Sequence, residues 1–113
     1  MIRKRLDAWA DSGHLWRERA ALVATLALIR RGKFDETFRL AARFRDHPHD
    51  LIHKATGWML RESGKRDIES LRVFLAKWAA KLPRTALRYA IERMTPEECG
   101  RWLAVPSGKR KSR

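Results

Sequence analysis

The sequence predicts an all-α fold in which antiparallel helix pairs stack as a helical-repeat solenoid, an α-α superhelix. One observation is an internal near-repeat spaced by about one helical hairpin. Ala24-Thr25, Ile29-Arg30, Gly32-Lys33 and Asp35 recur as Ala55-Thr56, Leu60-Arg61, Gly64-Lys65 and Asp67, with a fainter third echo at Ala86 and Ile91. A second is that glycine and proline fall where helices should end, while β-branched alternation is absent.

The first half of the chain predicts three helices. A short helix over 3–10 is followed by the turn Asp11-Ser12-Gly13. The next helix, over 14–31, stops at Gly32, which suits the left-handed position after a helix end. A third helix over 35–46 ends before His47-Pro48-His49.

The second half predicts the remaining helices. They cover 50–64, 67–82 and 84–94, and Pro83 stops the middle one. Thr95-Pro96-Glu97-Glu98 places an N-cap threonine, a first-turn proline and a glutamate at N3, which starts a short last helix. We expect the folded domain to cover 1–103 and residues 104–113 to form a flexible basic tail, because those residues offer nothing to bury.

Composition describes one small globular domain with a strong positive charge. The 113 residues are 44% hydrophobic and 35% charged. Lysine and arginine number 26 against 13 acidic residues, a net charge of +13. This imbalance favours polyanionic partners, with nucleic acid first and an anionic membrane second, although a merely soluble basic protein is the plain alternative.

The cysteine count and the hydropathy predict a cytoplasmic protein. Cys99 is the only cysteine, so no intramolecular disulfide can form. The basic start of the chain lacks the apolar core of a signal peptide. The most apolar run, over 20–29, is shorter than the roughly 20 residues that a membrane span needs.

The helix over 50–64 carries the sharpest candidate site. At about 100° per residue, one narrow stripe contains Lys54, Trp58, Arg61 and Lys65. A tryptophan in a basic stripe can stack on a base or sugar while its neighbours hold phosphates. The alternative is that Trp58 anchors the core and the cations form a solvated face.

Three further groups complete the candidates. Trp16 and Arg19 meet on the first turn of the helix over 14–31, either around an anionic ligand or as a cation–π pair. A basic ridge continues past the fifth helix through Lys77, Lys81, Arg84 and Arg88. His47, His49 and His53 are close in sequence, but without a nearby cysteine or matching carboxylates we expect no metal site. No motif for a cofactor is present, and we expect none.

Several stretches carry a resemblance to a known family. They are residues 15–21 (LWRERAA), 23–26 (VATL), 29–34 (IRRGKF), 49–62 (HDLIHKATGWMLRE) and 83–92 (PRTALRYAIE). In these the chain resembles the C-terminal half of the AlkD-like DNA alkylation repair proteins, up to about Leu103. The resemblance implies a superhelix of HEAT-like repeats that holds duplex DNA in its concave face. It also implies a glycosylase that releases alkylated purines without placing the base in a pocket.

The resemblance assigns roles to individual residues. Arg19 matches the arginine that supports the lesion-containing backbone, and Trp58 matches a tryptophan that lies against the deoxyribose. Lys54, Arg61, Lys65, Lys81, Arg84 and Arg88 are the expected DNA-binding cations. The family's catalytic aspartate has no counterpart, because Asp7 and Asp11 are not in that motif. That loss matters, since the reaction depends on stabilising a positive sugar.

These observations predict a DNA-binding part of an alkylpurine glycosylase, catalytically inactive by itself. The expected partner is double-stranded DNA, with or without alkylation. A homodimer through the exposed N-terminal repeat face is also expected, because the first helix, with Ile2, Leu6 and Trp9, is too short to cover the apolar area that a stripped solenoid exposes. The alternatives are a basic helical module that binds RNA or a protein, and an enzyme completed by a partner chain.

Overall fold

The structure is a computed structural model and describes residues 2–105, where it contains helices and no β-strand. The helices are α1 (Ile2–Ala10), α2 (Leu15–Ala24), α3 (Leu26–Arg30), α4 (Asp35–Arg43), α5 (Asp50–Arg66), α6 (Ile68–Trp78), α7 (Arg84–Ala90) and α8 (Pro96–Ala104), with a 3-10 turn at Phe44–Asp46 after α4. The predicted all-α class is confirmed. No helix of the described residues is long and apolar enough to cross a bilayer.

The helix predicted over 14–31 is divided at Thr25 into α2 and α3. The buried Thr25 hydroxyl donates to the Leu22 carbonyl at 2.6 Å, and the Thr25 amide donates to the same oxygen at 3.0 Å. A threonine that bonds back to the preceding turn bends a helix, which explains the break. Gly32 ends α3 with a φ of 77°, the left-handed conformation predicted there.

The other differences lie at helix C-termini. α5 continues two residues past its predicted end at position 64, to Arg66, whereas α4, α6 and α7 end at Arg43, Trp78 and Ala90, several residues earlier than predicted. Tighter i→i−3 bonds replace the last turn, as when the Met94 amide donates to the Ile91 carbonyl at 2.9 Å. The predicted start of α8 is confirmed, since the Thr95 hydroxyl accepts from the Glu98 amide at 3.2 Å.

α5 is the central helix and packs against α2, α3, α4, α6 and α7. Its closest approach is to α7 at Gly57, where an added Cβ would lie 2.4 Å from the Tyr89 Cβ and 2.6 Å from the Ala86 carbonyl oxygen. Only glycine fits there, and this contact fixes the position of Tyr89. The narrowest extent, 19 Å, suits two layers of helices with axes about 8–10 Å apart.

Two apolar clusters form the core, and α5 contributes to both. One contains Leu22, Ile52 and Met59, while the other contains Leu60 and Leu87. The solenoid arrangement and the domain limits of 1–103 stay predictions. The part of the predicted tail from 106 to 113 lies outside the described residues, and Ala104 belongs to α8.

Candidate nucleic-acid interface

A groove of about 290 Å³ opens where α2, α5 and α7 meet. Its position follows from the close packing of α7 on α5 and from the contact of α2 with α5. Three cations and two aromatic rings line it together with two aliphatic side chains. The lining residues are Arg19 from α2, Leu51, Lys54, Ala55, Trp58 and Arg61 from α5, and Tyr89 from α7.

The cations of this groove have weak partners or none. Lys54 Nζ lies 3.5 Å from Asp50 Oδ2, one turn earlier on α5, and both side chains are about half exposed. Arg61 is paired with the exposed Glu92. The Arg19 guanidinium has no hydrogen bond or ion pair within residues 2–105. Because exposed ion pairs contribute only about 0–1 kcal/mol, these cations can exchange their partners for another anion.

Each of the two aromatic rings of the groove is held in place by packing and also lines the open groove. Trp58 packs against the first core cluster while its other side lines the groove. The two interpretations of Trp58, core anchor and ligand contact, are therefore compatible. Tyr89 is 37% exposed and is positioned by the close approach at Gly57. Two rings beside three cations make a surface suited to a flat or sugar-like group that carries negative charge.

A second cavity of about 500 Å³ continues the groove along α5. It is lined by Arg61, Lys65, Glu92 and Arg93, so Arg61 belongs to both. Lys65 Nζ lies 3.4 Å from Glu62 Oε2. The predicted stripe on α5 therefore becomes one continuous basic surface, and Glu92 is the one acidic residue among the described residues that line the two cavities.

The remaining predicted DNA-binding cations lie outside the groove. Lys81 Nζ lies 5.2 Å from the centre of the Trp78 ring, where Arg45 and Lys77 also lie. Arg84 donates to the Leu103 carbonyl at 2.8 Å and so ties α7 to the end of α8. Arg88 is exposed on α7. A role in DNA binding stays a prediction for these three residues.

Trp16 and Arg19 do not form the cation–π pair that was one sequence-based interpretation. Within residues 2–105, no cation lies over the Trp16 ring and no other ring stacks on it. Trp16 is 67% exposed, whereas Arg19 lines the groove. Both residues are thus left with a free face.

The histidines near α5 hold a loop together. His47 Nε2 lies 2.9 Å from Glu18 Oε1, and His53 Nε2 lies 2.5 Å from the His47 carbonyl oxygen. His49 Nδ1 accepts from the Leu51 amide at 3.1 Å and so caps α5. In the described part of the chain, no group of three or more His, Cys, Asp or Glu side chains could hold a metal ion.

The carboxylates in and just after α1 serve packing. Asp7 pairs with Arg39 at 2.7 Å, and Asp11 pairs with Arg43. Glu36 of α4 completes this α1–α4 seam by pairing with Arg39 at 2.7 Å and with Arg3 at 2.9 Å. Burial would raise the pKa of Glu36, but the hydrogen bonds and charges of Arg39 and Arg3 lower it overall.

A second paired carboxylate joins α6 to α8. Arg72 donates two hydrogen bonds to Glu98, at 2.7 and 2.8 Å, and Trp102 Nε1 donates a third at 3.2 Å. The Arg72 hydrogen bonds lower the pKa of Glu98 to about 2, against the opposing effect of burial. These carboxylates hold helices together and do not line the groove.

Comparison with known protein families matches residues 1–94 to the DNA alkylation repair enzymes. The chain belongs to this family. No curated protein and no solved structure matches it. Membership in this family supports a role in DNA alkylation repair, with DNA as a partner.

Three side chains of this surface were missed from the sequence: Tyr89, Glu92 and Arg93. Tyr89 belongs to α7, and Glu92 and Arg93 lie in the turn after it. The available signal was Gly57, since a glycine inside a helix often marks close approach of another backbone. That signal indicates a contact but does not identify which helix makes it.

Proposed function

We propose that the groove on α2, α5 and α7 binds the sugar-phosphate backbone of double-stranded DNA. The observation that carries this proposal is the placement of Arg19, Lys54 and Arg61 around the Trp58 and Tyr89 rings. Phosphates are held by cations without regard to sequence, while an aromatic ring can lie against a deoxyribose. The family membership supports DNA as the ligand.

In this proposal Arg19 supports a backbone phosphate and Trp58 contacts the sugar. Arg19 suits that role because its guanidinium has no protein partner within residues 2–105. Trp58 suits its role because the core holds one side of the indole and fixes its orientation. Lys54, Arg61 and Lys65 extend the backbone contact along α5.

We also propose that the groove positions alkylated DNA without catalysing base release. Loss of an alkylated purine leaves positive charge on the sugar, and a carboxylate would stabilise it. None of the described residues that line the groove is acidic. Asp7 and Asp11 are paired in the α1–α4 seam, and arginine has the wrong sign for the task.

Two measurements on the full chain test this function. The logarithm of the affinity for a duplex should fall linearly with the logarithm of the salt concentration. The slope should be about −0.9 for each phosphate contacted. Base release from an oligonucleotide carrying an N7- or N3-alkylpurine, at saturating protein, should match the spontaneous rate. Trp58→Ala should weaken binding, whereas Trp9→Ala, an exposed tryptophan of α1 outside the groove, should not.

Opposite results would separate the two parts of the proposal. A flat salt response, or tighter binding to RNA than to DNA, would overturn backbone binding by the groove. Release well above the spontaneous rate that Arg19→Ala and Trp58→Ala both abolish would overturn the non-catalytic role and assign catalysis to this groove.

A further inference from the structure

Among the described residues, Trp9 and Trp16 are the exposed tryptophans, and Trp16 is the more exposed of the two. Its side chain is 67% accessible, against 46% for Trp9. Within residues 2–105, the Trp16 indole makes no ring contact, cation–π contact or hydrogen bond. An exposed indole gives up the free energy that burial of its apolar surface would provide. Its position relative to the groove therefore indicates whether a ligand in the groove could cover it.

The indole lies beside the groove. Trp16 precedes Arg19 by three residues on α2, which places it about 4.5 Å along the helix axis and about 60° around it. Helical side chains lean towards the N-terminus, so Trp16 extends beyond the end of the groove that Arg19 lines. Its nearest charged neighbours along the chain are Arg17 and Glu18, and Glu18 is turned inward onto His47.

We propose that Trp16 is an open stacking platform for one unstacked nucleobase of the DNA that the groove binds. This inference rests on the proposed backbone binding and adds the base to it. The surrounding charge is positive through Arg17 and Arg19, which suits a nucleotide and disfavours a second copy of this highly basic chain. An indole offers every base the same flat face, so stacking would not select a sequence.

The geometry of this platform differs from that of a pocket. Trp58 and Tyr89 line a groove between helices, whereas Trp16 stands on the exposed side of α2. A base that leaves the duplex near Arg19 would meet the Trp16 ring in the open. The platform would therefore favour DNA in which one base is already unpaired, because unstacking a paired base costs a few kcal/mol.

The test compares two fluorescein-labelled duplexes that differ by one unpaired nucleotide. The full-length protein should bind the bulged duplex more tightly than the fully paired one. Trp16→Ala should remove this preference, with a loss of about five- to 160-fold on the bulged duplex and little change on the paired one. Trp16→Phe should retain most of it, and Trp9→Ala should retain all of it.

Three outcomes would overturn the stacking platform while leaving backbone binding in place. One is equal affinity of Trp16→Ala and the unaltered protein for the bulged duplex. Another is an equal loss on both duplexes, which would make Trp16 a general contact. The third is a change in sedimentation of Trp16→Ala without DNA, which would make a second copy of the chain the occupant. Failure of the unaltered protein to bind the paired duplex would instead overturn the proposed function, and the platform with it.

Discussion

Arginines lie both in the α1–α4 seam and in the groove on α2, α5 and α7, but the partners of these arginines differ. In the seam, Arg39 is held by Asp7 and Glu36 at 2.7 Å each. In the groove, Arg19 has no partner within residues 2–105, and its neighbours are aromatic rings and other cations. Arginines paired with carboxylates join helices in the seam, whereas an unpaired Arg19 beside Lys54 and Arg61, whose carboxylate partners are exposed, raises the local positive potential. The comparison separates the cations that support the fold from those available to a ligand.

The largest expected effect is on DNA affinity when the groove loses its charge. The triple variant Arg19→Ala, Lys54→Ala, Arg61→Ala removes up to three phosphate contacts. Each contact is worth about eightfold at 0.1 M salt, so affinity should fall about 500-fold and the salt slope should decrease by about 2.7. Fluorescence anisotropy with a labelled duplex across a salt series measures both quantities.

A charge-matched control separates the effect of the groove on DNA affinity from the effect of net charge. Arg5→Ala, Arg31→Ala, Lys33→Ala removes two arginines and one lysine, as the groove variant does, from exposed positions that lie outside both the groove and the α1–α4 seam. Its affinity should change only a few-fold through long-range potential, and circular dichroism should show both variants folded. Equal losses in the two triple variants would mean that net charge, and not the groove, determines binding.

The next effect concerns the paired carboxylate between α6 and α8. Glu98 has a pKa of about 2 against an ordinary value of 4.5, so its ion pair stabilises the fold above pH 4.5 and is lost as the pH falls through about 2. Glu98→Gln should therefore be less stable at pH 7 by on the order of 2–3 kcal/mol, and this deficit should shrink between about pH 5 and 2.

Chemical denaturation followed by circular dichroism over this pH range measures the deficit. Glu97→Gln is the control, because Glu97 is the exposed neighbour on the same first turn of α8. A deficit that stays constant from pH 7 to pH 2 would contradict the ion-pair explanation. DNA affinity at pH 7 should not change in either variant, since neither residue lines the groove.

The parts predicted correctly from sequence are those that depend on local periodicity. Helical spacing alone placed Lys54, Trp58 and Arg61 on one face of α5, and the structure brings them into one groove with Arg19. Cap residues also act locally, so Thr95 predicted the start of α8. What these side chains bind is not contained in the spacing and stays a proposal.

The parts that sequence missed depend on contacts between helices. Tyr89 reaches the groove because Gly57 lets α7 approach α5, and the hydrogen bond from Arg84 to the Leu103 carbonyl of α8 was likewise not predicted. The break at Thr25 has a local cause, but threonine is a weak sequence signal for it. Most helices tolerate a threonine, and its hydroxyl bonds back to the preceding turn only in some of them. Periodicity places residues on a face and does not show which face another helix covers.

The smallest expected effect is an increase in DNA affinity. Glu92 pairs with Arg61 on the basic surface and is 61% exposed, so a phosphate must compete with it for the guanidinium. Glu92→Gln removes the competing charge and the repulsion between Glu92 and the phosphate. Because exposed ion pairs are worth about 0.2–1 kcal/mol, affinity should rise by about 1.4- to fivefold at low salt, and the gain should fade at high salt.

Glu69→Gln is the matched control for this last variant. Glu69 is also an exposed carboxylate paired with an arginine, Arg72, but it lies on α6 outside the groove. The two variants change net charge equally, so affinity that rises with Glu92→Gln alone would locate the competition at Arg61. If Glu92→Gln weakens binding instead, Glu92 orients the Arg61 guanidinium towards the ligand, and the groove would then contain one cation that is held in place in the same way as Arg39 in the seam.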